Sequence, residues 1–99
     1  MGQSQKNKGG QIMFIDLDDE HVIYSKNLIA ILDIQLKKSS IKLTNFLKEK
    51  KHQNELIGDP AISKSIIITD DYIYYSSYSP VTLKKKFNMT EIINKIDNY

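Results

Sequence analysis

Apolar residues recur along this chain with a period of two in some stretches and near 3.6 in others, and the changes between them outline the elements. Residues 11–17 (QIMFIDL) are β-branched and aromatic and predict a strand. The polar triplet Asp18-Asp19-Glu20 predicts a turn into a second strand over 21–25, paired with the first. Residues 27–34 (NLIAILDI) are almost continuously apolar and predict a third. Ser39 or Ser40 is placed to cap a helix running to about Lys51, its hydroxyl accepting from a free amide of the first turn. The helix stripe is Leu43, Phe46 and Leu47, extended by the stem of Lys50, while Ile41 falls on the opposite side. Gly58 and Asp59-Pro60 mark a loop. A hairpin follows, with a strand over 64–69, a turn at Asp70-Asp71 and a strand over 72–77. Ser79 suits an N-cap and Pro80 the first helical position, where its missing N–H costs nothing. A separate last helix over about 90–97 is expected to bury Met89, Ile92, Ile93 and Ile96.

The order βββα-ββ-αα predicts an α+β fold: a small antiparallel sheet of about five strands packed with short helices. Ile12 and Phe14 oppose Met13, Ile15 and Leu17, and Leu28, Ala30 and Leu32 oppose Ile29 and Ile31, so these strands are apolar on both faces. A sheet with one wet face alternates. The expectation is that part of the sheet is buried against another subunit.

Composition narrows the chemistry. Ninety-nine residues suit one small domain. There is no cysteine, which excludes disulfides, thiolate nucleophiles and zinc–cysteine sites and suits a reducing compartment. No apolar run approaches the ~18 residues of a membrane span, and no signal-peptide core is present. Gly2 is followed by Lys6 where a myristoylation signal needs Ser or Thr. A soluble cytoplasmic protein with no membrane partner is expected. The lead MGQSQKNKGG is polar and Gly-rich, so residues 1–12 are expected to be a disordered or non-native extension ahead of a start at Met13, leaving 13–99 as a single domain.

All fourteen basic residues are lysine. Any anion recognition must therefore use point charges, not the flat guanidinium fork. The net charge is +2, but without Lys6 and Lys8 lysines and acids balance at twelve each. Charge is segregated: Asp16, Asp18, Asp19, Glu20 and Asp33 precede a basic segment of Lys37, Lys38, Lys42, Lys48, Lys50 and Lys51. With Leu43 and Phe46 inward, Lys42 and Lys51 flank the helix stripe while Lys48 points outward, so these lysines are not expected to converge on one surface. With Leu83 and Phe87 inward, Lys85 points straight out and Lys84 and Lys86 lie about 80° to either side.

The D-x-D of MFIDLDDE resembles the nucleophile motif of haloacid-dehalogenase-type phosphatases. Glu20 stands where those proteins carry Thr or Val, and this length cannot build the rest of their site. A calcium loop fails as well, because His21 and Asn27 occupy its glycine and bidentate-acid positions. A polar hairpin turn is the reading that remains. His21 and His52 are isolated, and neither a nucleophile elbow nor a Gly-rich phosphate loop occurs. No enzymatic activity, cofactor or metal is expected. Tyr72, Tyr74, Tyr75 and Tyr78 offer base-stacking rings, but Tyr74 and Tyr75 face opposite ways on a strand, so sheet packing is expected of them.

Taken together, VIYSKNLIAILD, SKSIIITDDYIYYSSYSP and TLKKKF resemble the Rem family of small bacterial extracellular matrix regulatory proteins, RemB-type members most of all. The resemblance runs from about Met13 to Phe87, and its most specific part is the strand-turn-strand leading into S-x-x-T-L-K-K. It implies a non-enzymatic transcriptional regulator of matrix and biofilm genes in Gram-positive bacteria, a homo-oligomer closing into a ring that presents a basic rim to double-stranded DNA. A ring would give a neutral subunit a multivalent surface. RemA-type members carry an arginine pair just before the fourth strand, where Ala61 and Ile62 stand here and only Lys64 nearby is basic. The arginine opening their third strand falls near Lys26 and Asn27. The candidate phosphate contacts are therefore Lys26, Lys64, Lys84, Lys85 and Lys86, with Lys42 a lesser one. The alternative is a self-assembling adaptor, co-assembling with a RemA-type paralogue, that makes no DNA contact.

Overall fold

The computed structural model describes the backbone of residues 14–97 and the side chains of residues 14–88. Strand β1 (Phe14–Asp16) pairs antiparallel with β2 (Val22–Tyr24), with Phe14 opposite Tyr24 and Asp16 opposite Val22. The 18–20 segment between them is the polar turn expected. Asp18 Oδ1 accepts from the amides of Glu20 (2.7 Å) and His21 (2.8 Å), and the Leu17 amide donates to the His21 carbonyl (2.8 Å). The residues of the predicted strand before Phe14 lie outside the described residues.

A short 3₁₀ turn (Ser25–Asn27) leads into β3 (Leu28–Asp33). Helices α1 (Leu36–Ser39) and α2 (Ile41–His52) follow, then β4 (Leu56–Ile57), a 3₁₀ turn (Pro60–Ile62), β5 (Ser65–Thr69), β6 (Ile73–Ser76) and α3 (Pro80–Asp97). The fold is α+β, but not with the single five-stranded antiparallel sheet the sequence predicts. β3-β5-β6-β4 form one four-stranded sheet, in which β4 runs parallel to β6, and the β1–β2 hairpin is a separate sheet. β4 is only two residues long, too short to leave a periodic signal. The two final helices predicted are one, because the Asn88-Met89-Thr90 junction contains no glycine or proline to stop propagation. The predicted burial of Met89, Ile92, Ile93 and Ile96 lies outside the described side chains.

Separating the hairpin from the sheet explains the strands that are apolar on both faces. On one face, Ile67 packs with Ile15, Leu17 and Ile23 of the hairpin and Leu83 of α3, joined by Ile31, Tyr74 and Phe87. On the other, Ile66, Ile73 and Tyr75 pack with Leu47 of α2, joined by Leu32, Leu43, Leu56 and Ile68. Both faces of the sheet thus carry packing from within the chain, while Phe14, Val22 and Tyr24 of the hairpin and Ile29 of β3 remain exposed. Each large side chain so buried contributes about 1.5–3 kcal/mol. Tyr74 and Tyr75 do go to opposite faces. β3 breaks its own pattern: Leu28 opposes Thr69 and Ala30 opposes Ile68, so Ile29 is the extra residue of a bulge and is 63% exposed.

Hydroxyl groups tie the layers together. Ser76 and Ser65 are fully buried. The Ser76 hydroxyl donates to the Leu17 carbonyl and accepts from the Tyr78 amide (3.1 Å), and the Ser65 hydroxyl donates to the Tyr78 carbonyl (2.7 Å). Helix α2 begins as predicted, with Ser40 Oγ accepting from the Leu43 amide (3.1 Å). It ends in a Schellman motif: Asn54 takes φ 60°, its amide donates to the Lys51 carbonyl, and the Glu55 amide donates to the Lys50 carbonyl. That turn aims the chain into β4, where the Glu55 carbonyl receives the Ile73 amide (2.9 Å). Ile41, on the far side of α2, is 79% exposed.

Candidate functional site

The candidate lysines do not assemble into one site within a single chain. Lys26 sits in the 3₁₀ turn at the start of β3, exposed, with Nζ 5.9 Å from the centroid of the Tyr24 ring. The Asp70 amide donates to the Asn27 carbonyl beside it, so the Asp70-Asp71 turn adjoins this lysine. Lys64 immediately precedes β5, whose start pairs with the end of β3 through Ser65 and Asp33. Lys26 and Lys64 therefore lie at opposite ends of β3, about 20 Å apart at the usual rise per residue. Lys42 is exposed in the first turn of α2, on the layer covering one face of the sheet. Lys84, Lys85 and Lys86 belong to α3, on the other face. Their fan is as predicted: Leu83 is fully buried, Lys84 and Lys85 are exposed, and Lys86 leans back to place Nζ 4.9 Å from the centroid of the Tyr78 ring. Ser79 caps this helix, its Oγ accepting from the Thr82 amide (3.2 Å).

A different set of lysines converges. Lys37, Lys48 and Lys51 line a cleft of about 460 Å³ between α1–α2 and the segment from Leu56 to Pro60, with Leu47, Leu56 and Tyr75 as apolar walls. From the sequence, Lys48 is expected to point outward and the 37–51 lysines not to converge on one surface. The one-turn helix α1 changes this. The Thr44 hydroxyl donates to the carbonyls of Lys37 and Ser40 (3.1 Å each), and Lys37 Nζ stands 5.4 Å from the centroid of the Tyr75 ring. Helical spacing puts Lys48 and Lys51 on one face of α2, but no spacing along the chain brings Lys37 to them. Lys50, by contrast, is engaged with Glu55 (3.0 Å) and with the Phe46 ring (5.6 Å to its centroid).

A second cleft, of about 330 Å³, is acidic. Asp18, Asp19, Glu20 and Asp59 line it together with Ile62, Tyr75, Ser77 and Tyr78. Burial works to raise the Asp18 carboxyl, but hydrogen bonds from the Glu20 amide, the His21 ring and the His21 amide outweigh it and hold the pKa below its ordinary value. Asp59 is occupied in part as the cap of the 3₁₀ turn, accepting from the Ala61 amide (2.9 Å). Among the described residues, no group of three or more His, Asp or Glu side chains is arranged to hold a metal ion. Burial raises the Tyr75 phenol, and burial with nearby Tyr72 and Asp71 raises that of Tyr74. Phe14, Val22 and Tyr24 stand exposed on the outer face of the hairpin, the Phe14 and Tyr24 rings 4.8 Å apart. Among the described residues, no helix is long and apolar enough to cross a membrane.

Residues 14–87 match the family described as RemA-like, extracellular matrix regulatory protein A-like, and the chain belongs to that family. It is 38% identical over 76 residues to extracellular matrix regulatory protein B of Bacillus subtilis (strain 168), covering 75% of this chain and 89% of that protein. This family membership supports a regulatory role in matrix gene expression.

Proposed function

We propose that this chain is a self-associating cytoplasmic regulator of extracellular matrix genes that contacts double-stranded DNA through lysine–phosphate pairs. Sequence preference then comes from DNA shape and bending more than from base edges. The observation that carries the reading is the distribution of Lys26, Lys42, Lys64, Lys84, Lys85 and Lys86. They lie at the surface but are divided between the two faces and the two ends of the sheet. One copy offers a partner a modest charge, whereas a symmetric assembly repeats that charge into a continuous surface. Exposed Phe14, Val22 and Tyr24, with Ile29 on the open edge of β3, support self-association.

The test is a gel shift with duplex DNA at two salt concentrations, paired with light-scattering chromatography. Affinity should fall with salt by about 0.9 power per phosphate contact. The Lys26→Gln/Lys64→Gln/Lys85→Gln variant should bind more weakly with a shallower salt slope. Phe14→Ser with Val22→Ser should lower the assembly's mass. No shift at low salt, or a triple variant that shifts like the parent, refutes the DNA reading.

The acidic cleft favours a second reading. Ile62, at the position where RemA-type members carry arginine, lies among Asp18, Asp19, Glu20 and Asp59, which repel phosphate. An adaptor that co-assembles with a RemA-type paralogue and leaves DNA contact to it fits that charge. It would associate with the paralogue yet produce no shift alone.

A further inference from the structure

We propose that the cleft between α2 and β4 binds a small organic phosphate, its phosphate on the ammonium groups of Lys37, Lys48 and Lys51 and its apolar body against Leu47, Leu56 and Tyr75. The inference stands apart from the DNA reading, since none of these lysines carries it.

Charge is the first argument. Three lysines line the cleft, against the single carboxylate of Asp59, which already accepts from the Ala61 amide. Among the described residues Lys48 and Lys51 form no ion pair, whereas their neighbour Lys50 is neutralised by Glu55. Like charges gathered without a counter-charge repel one another, and a bound dianion relieves that repulsion.

Shape is the second. A volume of about 460 Å³ lies within the ~300–1,000 Å³ range of small-ligand pockets, and its walls are more apolar than polar. A phosphodiester chain lying across the rim would use the lysines and leave that apolar floor unfilled. A ligand with both a phosphate and an apolar body uses both.

Rigidity is the third. Lys37 is held over the floor by the Thr44 bond to its carbonyl and by the Tyr75 ring. The opposite wall is fixed by Gly58, which takes φ 105° and lies so close to β6 that a Cβ there would stand 2.7 Å from the Tyr75 carbonyl oxygen. The walls are therefore set before binding, and the ordering that remains falls on the Lys48 and Lys51 side chains.

The experiment titrates the isotope-labelled full chain with phenyl phosphate, inorganic phosphate and phenol, following backbone amide resonances. Phenyl phosphate should shift the amides of Leu47, Lys48, Lys51, Leu56 and Gly58. Inorganic phosphate should bind about tenfold more weakly, and phenol should leave the spectrum unchanged. Lys48→Gln/Lys51→Gln should weaken phenyl phosphate by about tenfold or more, and Lys84→Gln/Lys85→Gln should not change it. Both pairs are exposed, so the spectra themselves report that the variants fold. The proposal is overturned if phenyl phosphate and inorganic phosphate bind alike, if the shifts survive Lys48→Gln/Lys51→Gln, or if no cleft amide moves at millimolar ligand. A short duplex that displaces phenyl phosphate, with its own binding lost in the same variant, would reassign the cleft to DNA and equally overturn it.

Discussion

Replacing Ser76 by alanine should be among the most damaging single changes in the chain, although it removes only one oxygen. Ser76 is fully buried on β6. Its hydroxyl donates to the Leu17 carbonyl, at the point where the β1–β2 hairpin meets the four-stranded sheet, and accepts from the Tyr78 amide that leads into α3. Ser76→Ala leaves one buried carbonyl and one amide without this partner. An unsatisfied buried group costs about 1–3 kcal/mol, so the expected loss is about 2–4 kcal/mol, a large share of a total near 5–15 kcal/mol. For a domain of this size that is a fall in Tm of about 10–25 °C. Ser65→Ala is the control, because the Ser65 hydroxyl makes a single bond, to the Tyr78 carbonyl. It should cost about half as much. Thermal unfolding followed by circular dichroism measures both, and amide hydrogen exchange at Ile15, Leu17 and Ile23 should accelerate in Ser76→Ala before global unfolding. A Ser76→Ala variant within ~0.5 kcal/mol of the parent, or one milder than Ser65→Ala, would refute the reasoning that this hydroxyl joins the two layers.

Gly58→Ala should cost about 3 kcal/mol in denaturant unfolding, because the positive φ and the 2.7 Å approach to the Tyr75 carbonyl act together. Asn54→Gly, at an ordinary left-handed φ of 60°, should change stability by less than ~1 kcal/mol. Asp18 has a folded pKa below its unfolded value, so its stabilisation is present above about pH 4 and fades as pH falls through the lower folded value. Asp18→Asn should remove that part of the acid-side decline in Tm. An unchanged acid profile would show that the Asp18–His21 turn is not its source. Leu83→Ala should cost about 2–5 kcal/mol by opening a cavity beneath α3, while Ile41→Ala should be close to neutral in the same unfolding assay.

Much of the secondary structure was legible because it depends on neighbours in sequence. Ser40 and Ser79 cap the helices expected of them, and β5 and β6 lie within a residue of their predicted ends. What failed did so for identifiable reasons. Two residues of β4 carry no period, and the parallel pairing that gives them meaning comes from β6. The bulge at Ile29 depends on the register with β5, which β3 alone does not encode. The lysine fan on α3 was readable from helical geometry, but the meeting of Lys37 with Lys48 and Lys51 was not. It needs α1, Thr44 and the turn at Asn54 to close one side of a cleft on the other.

By itself, then, the sequence determined the α+β class, the hairpins and caps, the absence of cysteine and arginine chemistry, and the family. Each of these is local or compositional. Tertiary structure alone decided how the two-faced apolar strands pack within the chain, with the hairpin and α3 on one face and α2 on the other. It also decided which lysines share a surface. Both outcomes depend on burying apolar area between segments far apart in sequence. That free energy belongs to the assembled layers, and no stretch of the chain carries it alone.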